Sequence, residues 1–163
     1  MNKITYLIIS ITFLIFINAC AGYKPVYTTS LQFKIADYSI KTDKKLGRQI
    51  YSKLYNLSNT LKNSTQAQKV TIIIDAKKAK KATVKNSAGK ILEYKIILDT
   101  NIIIKDYLSD DEILNQNFSY SSTYKVQDQY SKTIKLENKS IENLINKTYQ
   151  NLLISMSGII STK

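Results

Sequence analysis

The sequence predicts an α+β domain: a two-layer sandwich whose four-stranded, mostly antiparallel sheet is covered on one face by two helices, in the order β-α-β-β-β-α. Three observations carry this. Between residues 69 and 126 apolar side chains recur at every second position, the period of a half-buried strand, whereas on either side of that region they recur every three or four residues, the period of a helix face. Turn-forming residues break the alternating region at Asn86-Ser87-Ala88-Gly89 and again at Ser109-Asp110-Asp111, so its strands are joined by tight turns as an antiparallel meander. Two amphipathic helices need one apolar surface to cover, and the even-numbered sheet face offers it.

Taken in order, Leu31, Phe33 and Ile35 alternate with Gln32 and Lys34, which reads as a first strand ending near Ile40. Thr42 or Asp43 can cap the helix that follows, where Leu46, Ile50, Leu54, Leu57 and Leu61 share one face, widened by Tyr51 and Tyr55. Ser58 to Gln68 reads as a polar loop. The second strand starts near Lys69 with Val70, Ile72, Ile74 and Ala76 on one face. Its register continues weakly through Ala82 and Val84, interrupted by Lys77, Lys78, Lys80, Lys81 and Lys85. The third strand holds Leu92, Tyr94, Ile96, Leu98, Thr100, Ile102 and Ile104 on one face; at ~3.3 Å per residue it would extend about 40 Å. The fourth sets Phe118, Tyr120, Tyr124 and Val126 against Ser119, Ser121 and Lys125. A long closing helix runs from about Gln127 to Met156. Its expected stripe is Tyr130, Ile134, Ile141, Leu144, Ile145, Tyr149, Leu152 and Met156, with Asn138 and Thr148 as polar members, and no glycine interrupts it before Gly158.

Composition narrows the chemistry. A chain of 163 residues supports one domain with a real core. One cysteine and no histidine exclude a disulfide framework and the usual zinc sites, and remove the commonest general base. The carboxylate run Asp110-Asp111-Glu112 has no base, nucleophile or metal set beside it in the sequence, so no enzyme is expected and no metal or dissociable cofactor either. The net charge of +12 points to anionic partners, but Arg48 is the only arginine among 24 basic residues, and a lysine excess of this kind is equally the mark of a solvated surface in a chain rich in isoleucine and asparagine.

The N-terminus places the chain in an envelope. Met1-Asn2-Lys3 is a basic start and Ile4 to Ile17 an apolar run, long enough for a signal peptide and short of the ~20 residues a bilayer span needs. Ile17-Asn18-Ala19-Cys20 reads as a lipobox, with cleavage before Cys20 and lipid on its thiol. The expected organisation is a signal over 1–19, a lipidated tether over 20–30, one domain over 31–157 and a tail over 158–163. A diacylglyceryl thioether with an N-acyl chain on Cys20 would hold the protein stably, since one acyl chain alone binds only marginally. Export also removes nucleic acid as a partner.

Cys20-Ala21-Gly22-Tyr23-Lys24-Pro25-Val26-Tyr27 resembles the segment after the lipid-bearing cysteine in the LptE family of lipopolysaccharide-assembly lipoproteins, with Ala21 as an insertion. Leu46-Gly47-Arg48, the element order and the long closing helix are also similar to that family. The resemblance implies a Sec-exported lipoprotein anchored in the outer membrane. It would plug an LptD-like β-barrel and help lipopolysaccharide reach the outer leaflet. Ala21, not an aspartate, after the cysteine fits outer-membrane sorting. The alternative is a free periplasm-facing lipoprotein that binds an anionic glycolipid or envelope polymer through a basic hairpin. In either case Lys77, Lys78, Lys80, Lys81 and Lys85 are the candidate ligands for lipid phosphates, as point charges without arginine's bidentate geometry. The competing reading of that cluster is a charged sheet edge that blocks aggregation. The twelve tyrosines suit packing against a barrel interior, and core or strand packing accounts for many of them equally well.

Overall fold

The computed structural model describes residues 33–60 and 67–160. The expected signal, Cys20, the tether, Leu31 and Leu61 lie outside the described residues. Its elements are β1 (Phe33–Ile40), α1 (Lys44–Thr60), β2 (Gln68–Lys85), β3 (Ile91–Asp106), β4 (Glu112–Lys125) and α2 (Tyr130–Ile160). They form the expected α+β arrangement, with sheet order β1-β2-β3-β4. β2, β3 and β4 pair antiparallel, and β1 pairs parallel to β2 because α1 is the crossover between them.

One face of the sheet is the core. Val70, Ile72, Ile74 and Ala76 of β2, Ile96, Leu98, Ile102 and Ile104 of β3, and Leu114, Phe118 and Tyr124 of β4 pack beneath Leu46, Ile50 and Leu54 of α1 and Leu144, Ile145, Leu152, Leu153 and Met156 of α2. The opposite face carries no helix among the described residues. Across it Asn101 donates to Asn115 and Asn117 at 3.0 and 2.9 Å, so polar ladders tie β3 to β4 there.

The ends of the elements follow side-chain chemistry. Asp43 caps α1, its Oδ1 accepting from the amides of Lys45 and Leu46 at 2.9 and 3.0 Å, while the Thr42 hydroxyl instead donates to Ala76 O at 2.7 Å and to Asp75. The hairpin turn after β2 is closed by Asn86, whose Oδ1 accepts from Ala88 and Lys90, and by Gly89 at φ +79°. Asp106 organises the next turn, accepting from Leu108 and Ser109, with Asp110 at φ +61°.

Several boundaries differ from the sequence expectation. Ser58–Thr60 belong to α1 and not to the loop, because the Ser58 and Thr60 hydroxyls donate back to Tyr55 O and Asn56 O and so stay within the helix. β2 runs unbroken through its lysines, since β3 pairs it as far as Lys85↔Ile91. α2 starts at Tyr130, where the Thr133 hydroxyl and Gln127 backbone exchange hydrogen bonds, and it continues past Gly158 to Ile160. The stripe over its first turns is also different. Tyr130 is 78% exposed and Asn138 is exposed, while Thr133, Glu137 and Ser140 face inward. The inward line there mixes Thr133, Glu137 and Ser140 with Leu136, so hydrophobic periodicity alone does not mark it. Farther along, Thr148 is fully buried and satisfied by donating to Leu144 O at 3.0 Å.

Candidate functional site

Past Ala76 the sheet leaves the protection of α1. Every β2 residue from Lys77 to Lys85 is exposed, and β1 pairs with β2 only as far as Ile74. Strand alternation divides the five candidate lysines. Lys78 and Lys80 lie on the helix side, Lys77 and Lys81 on the open side, and Lys85 beside the hairpin turn, after register shifts around Val84. The structure therefore does not gather the five into one cluster.

On the helix side, Glu137 of α2 takes both lysines. Lys80 Nζ lies 2.6 Å and Lys78 Nζ 3.8 Å from its carboxylate, and the Tyr124 hydroxyl donates to Glu137 Oε2 at 2.8 Å. Lys80 also sits over the Tyr94 ring, 4.2 Å from the centroid, and Tyr94 stacks on Tyr124. Burial opposes the charge on Glu137, but the hydrogen bonds from Lys80 and Tyr124 outweigh it and hold the carboxyl below its usual range. Burial likewise opposes the Lys80 charge and is outweighed by Glu137 and Tyr124, so its ammonium is held above the ordinary lysine value. This group is a clamp between α2 and the far end of the sheet, and its two lysines are already committed.

On the open side the arrangement is different. Lys81 stands directly opposite Lys95 of β3, with Thr123 of β4 next in the same row. Directly opposed residues bring their Cβ atoms within about 4.5–5.5 Å, so two ammonium groups share one small region. Neither pairs with a carboxylate among the described residues. The next row holds Glu93, bonded to the Thr83 hydroxyl at 2.8 Å, opposite Lys125. Lys77, farther along the same face, leans towards Asp75 at 3.8 Å. A phosphate set between Lys81 and Lys95 would replace a like-charge repulsion by two charge-assisted contacts, with the Thr123 hydroxyl as a further donor. Lys95 was not among the residues singled out from the sequence. A four-residue turn over Asn86–Gly89 would set Lys95 opposite Lys80; the observed pairing, with Lys85 opposite Ile91, sets it opposite Lys81, so this neighbour is not legible from the turn alone.

Two further features belong to the helix side. A cleft of about 650 Å³ separates α1 from α2, lined by Lys45, Arg48 and Lys53 on one side and Asn138, Ile141 and Glu142 on the other. The chain's single arginine therefore faces this cleft. At the β1 edge, Tyr38 stacks on Tyr51 at 4.0 Å between ring centroids, and Tyr55 lies 5.7 Å beyond, with Tyr38 and Tyr55 substantially exposed. Among the described residues no three His, Cys, Asp or Glu side chains gather as metal ligands, and no helix is long and apolar enough to cross a membrane.

No protein-family model matches the chain, and no curated protein matches it in sequence. Its fold does recur in solved structures. A chain from Caulobacter crescentus described as a lipoprotein superposes with a TM-score of 0.60 at 11% identity, covering 84% of this chain and 97% of that one. An uncharacterised lipoprotein B from Nitrosomonas europaea gives 0.57 at 17% identity, covering 86% and 93%. The rare lipoprotein B from Shewanella oneidensis gives 0.50 at 16% identity, covering 75% and 94%. The fold shared with these bacterial lipoproteins takes in nearly the whole of each.

Proposed function

We propose that this chain is a lipid-anchored envelope protein of the outer membrane that partners an LptD-like β-barrel as its plug and assists lipopolysaccharide assembly. The observation that carries the reading is a conjunction. The lipobox and the Cys20–Tyr27 segment precede a domain whose fold is that of solved bacterial lipoproteins. In this reading Cys20 bears the lipid, which fixes the domain to the membrane without an amphipathic anchor helix. The domain contributes no catalysis, metal or dissociable cofactor; it supplies surfaces.

The open sheet face supports the lipopolysaccharide part. Lipid A carries phosphates on its sugars, and the Lys81–Lys95 pair is a region of concentrated, unneutralised positive charge on the described sheet. The same pair also favours the second reading, a free lipoprotein that binds an anionic glycolipid without a barrel partner. Purification from native membranes separates the two: a stable, stoichiometric complex with a large outer-membrane barrel supports the plug, and isolation as a free chain that still binds glycolipid supports the alternative. Lipid labelling and membrane fractionation of wild type against Cys20→Ser test the anchor. Wild type should label and fractionate with the outer membrane, and Cys20→Ser should lose both.

A further inference from the structure

We infer that the acidic turn between β3 and β4 of one chain seats in the α1–α2 cleft of a second copy, joining chains head to tail. This goes beyond the proposed function, which gives neither feature a role. From Asp106 to Glu112 the turn holds four carboxylates and no basic residue, in a chain of net charge +12. It is therefore a patch at which copies that otherwise repel can attract. At its tip Tyr107 is 49% exposed and Leu108 85%, the most exposed large apolar side chain among the described residues. Hydrogen bonds hold that tip out. Asp106 Oδ1 accepts from the amides of Leu108 and Ser109 at 2.9 and 3.1 Å, and Gln68 Nε2 donates to its other oxygen at 2.8 Å. The Tyr107 amide donates to Lys69 O at 3.0 Å. An apolar pair is thus presented on a turn already ordered for docking, which lowers the entropy cost of association.

The cleft is the reciprocal surface. Its α1 wall carries Lys45, Arg48 and Lys53, none of which has a carboxylate partner among the described residues. Leu46, Ile141 and Ile145 lie between the helices, with Ile141 only half-buried. Seated there, Leu108 covers Ile141 and the turn's carboxylates meet the α1 cations, Arg48 with its two-pronged geometry among them. Of the two carboxylates that line the cleft, Asp43 is committed to capping α1. The other, Glu142 on the α2 wall, can accept from the Tyr107 hydroxyl. Position assigns the turn to a second copy. Asp106 pairs with Val70, whereas the cleft reaches Lys78 on the same strand. The eight residues of β2 between those points span about 26 Å at ~3.3 Å each, so a chain does not fill its own cleft. Because the two surfaces differ, every added chain still offers a free turn or a free cleft, and association continues past a dimer unless a ring closes.

The test follows the full-length protein in mild detergent by sedimentation at rising concentration. The expected result is species of two, three and more chains. Leu108→Asp and Arg48→Glu, both at exposed positions, should each weaken association roughly tenfold or more with thermal melts unchanged. Mixed together, the two variants should form a 1:1 dimer and nothing larger, since one keeps the cleft and the other keeps the turn. Asp111→Lys and Lys53→Glu repeat the experiment at neighbouring positions should either first variant fail to fold. A monomer at every concentration would overturn the inference. So would association that stops at a dimer of the unaltered chain, association that neither substitution weakens, or a mixture of the two variants that stays monomeric.

Discussion

Lys80 of β2 and Glu137 of α2, distant in sequence, meet at 2.6 Å, with the Tyr124 hydroxyl on the same carboxylate oxygen. This contact decides which way the first turns of α2 face. It sets a carboxylate on the inward side, where the expected stripe has Asn138, while Asn138 and Tyr130 are turned to solvent.

The clamp makes stability depend on acid. Because the folded protein holds the Glu137 carboxyl below its unfolded value, its contribution is complete above about pH 4.3 and is lost as pH falls through the folded value. Glu137→Gln should therefore lower stability at pH 7 by about 1 kcal/mol, a figure kept small because Lys80 is about one-third exposed. Thermal melts from pH 3 to pH 7 should show the variant and wild type converging at the acidic end.

Gly47 is required by a close approach. A Cβ at this position would collide with Cγ2 of Ile40, at the end of β1. Gly47→Ala should destabilise by about 1–3 kcal/mol in urea unfolding. Ile40→Ala in the same chain should recover part of that loss, giving a coupling that a general loss of helix propensity would not produce. The Leu46-Gly47-Arg48 segment thereby acquires separate physical roles: Leu46 is buried, Gly47 admits Ile40, and Arg48 faces the inter-helix cleft.

Thr100 lies in the core with 3% exposure, and its Oγ1 has no hydrogen-bond partner among the described residues. Thr100→Val keeps the shape and removes the unpaired hydroxyl. It should raise stability by about 1 kcal/mol, seen as a higher denaturation midpoint with an unchanged slope.

The two groups of lysines should respond differently. Lys81→Gln or Lys95→Gln should weaken binding of a diphosphorylated lipid A disaccharide by roughly three- to tenfold, as expected for one lost charge-assisted contact. Either change should also raise the melting temperature slightly by relieving the opposed charges. Lys78→Gln should change that affinity little, because Lys78 faces Glu137 on the other side of the sheet. Binding isotherms at two salt concentrations check both statements.

Residue order alone sets the fold class, the order of elements, the two turns and most of the buried face. These rest on period and on turn chemistry, which are local properties of the chain. Leu46, Ile50 and Leu54 are buried as their spacing requires, as are Ile96, Leu98, Ile102 and Ile104. The apolar run, Cys20 and the segment after it were likewise read from residue order alone. Tertiary structure decided the rest. A lysine run reads as one cluster along the chain, but a strand sends alternate side chains to opposite faces, so Lys80 joined a clamp and Lys81 an open pair. Lys95 gained its place only by pairing with β2, and Glu137 faced inward only because Lys80 and Tyr124 were there to receive it. Periodicity records which residues avoid water; it carries no record of which charges will be brought face to face.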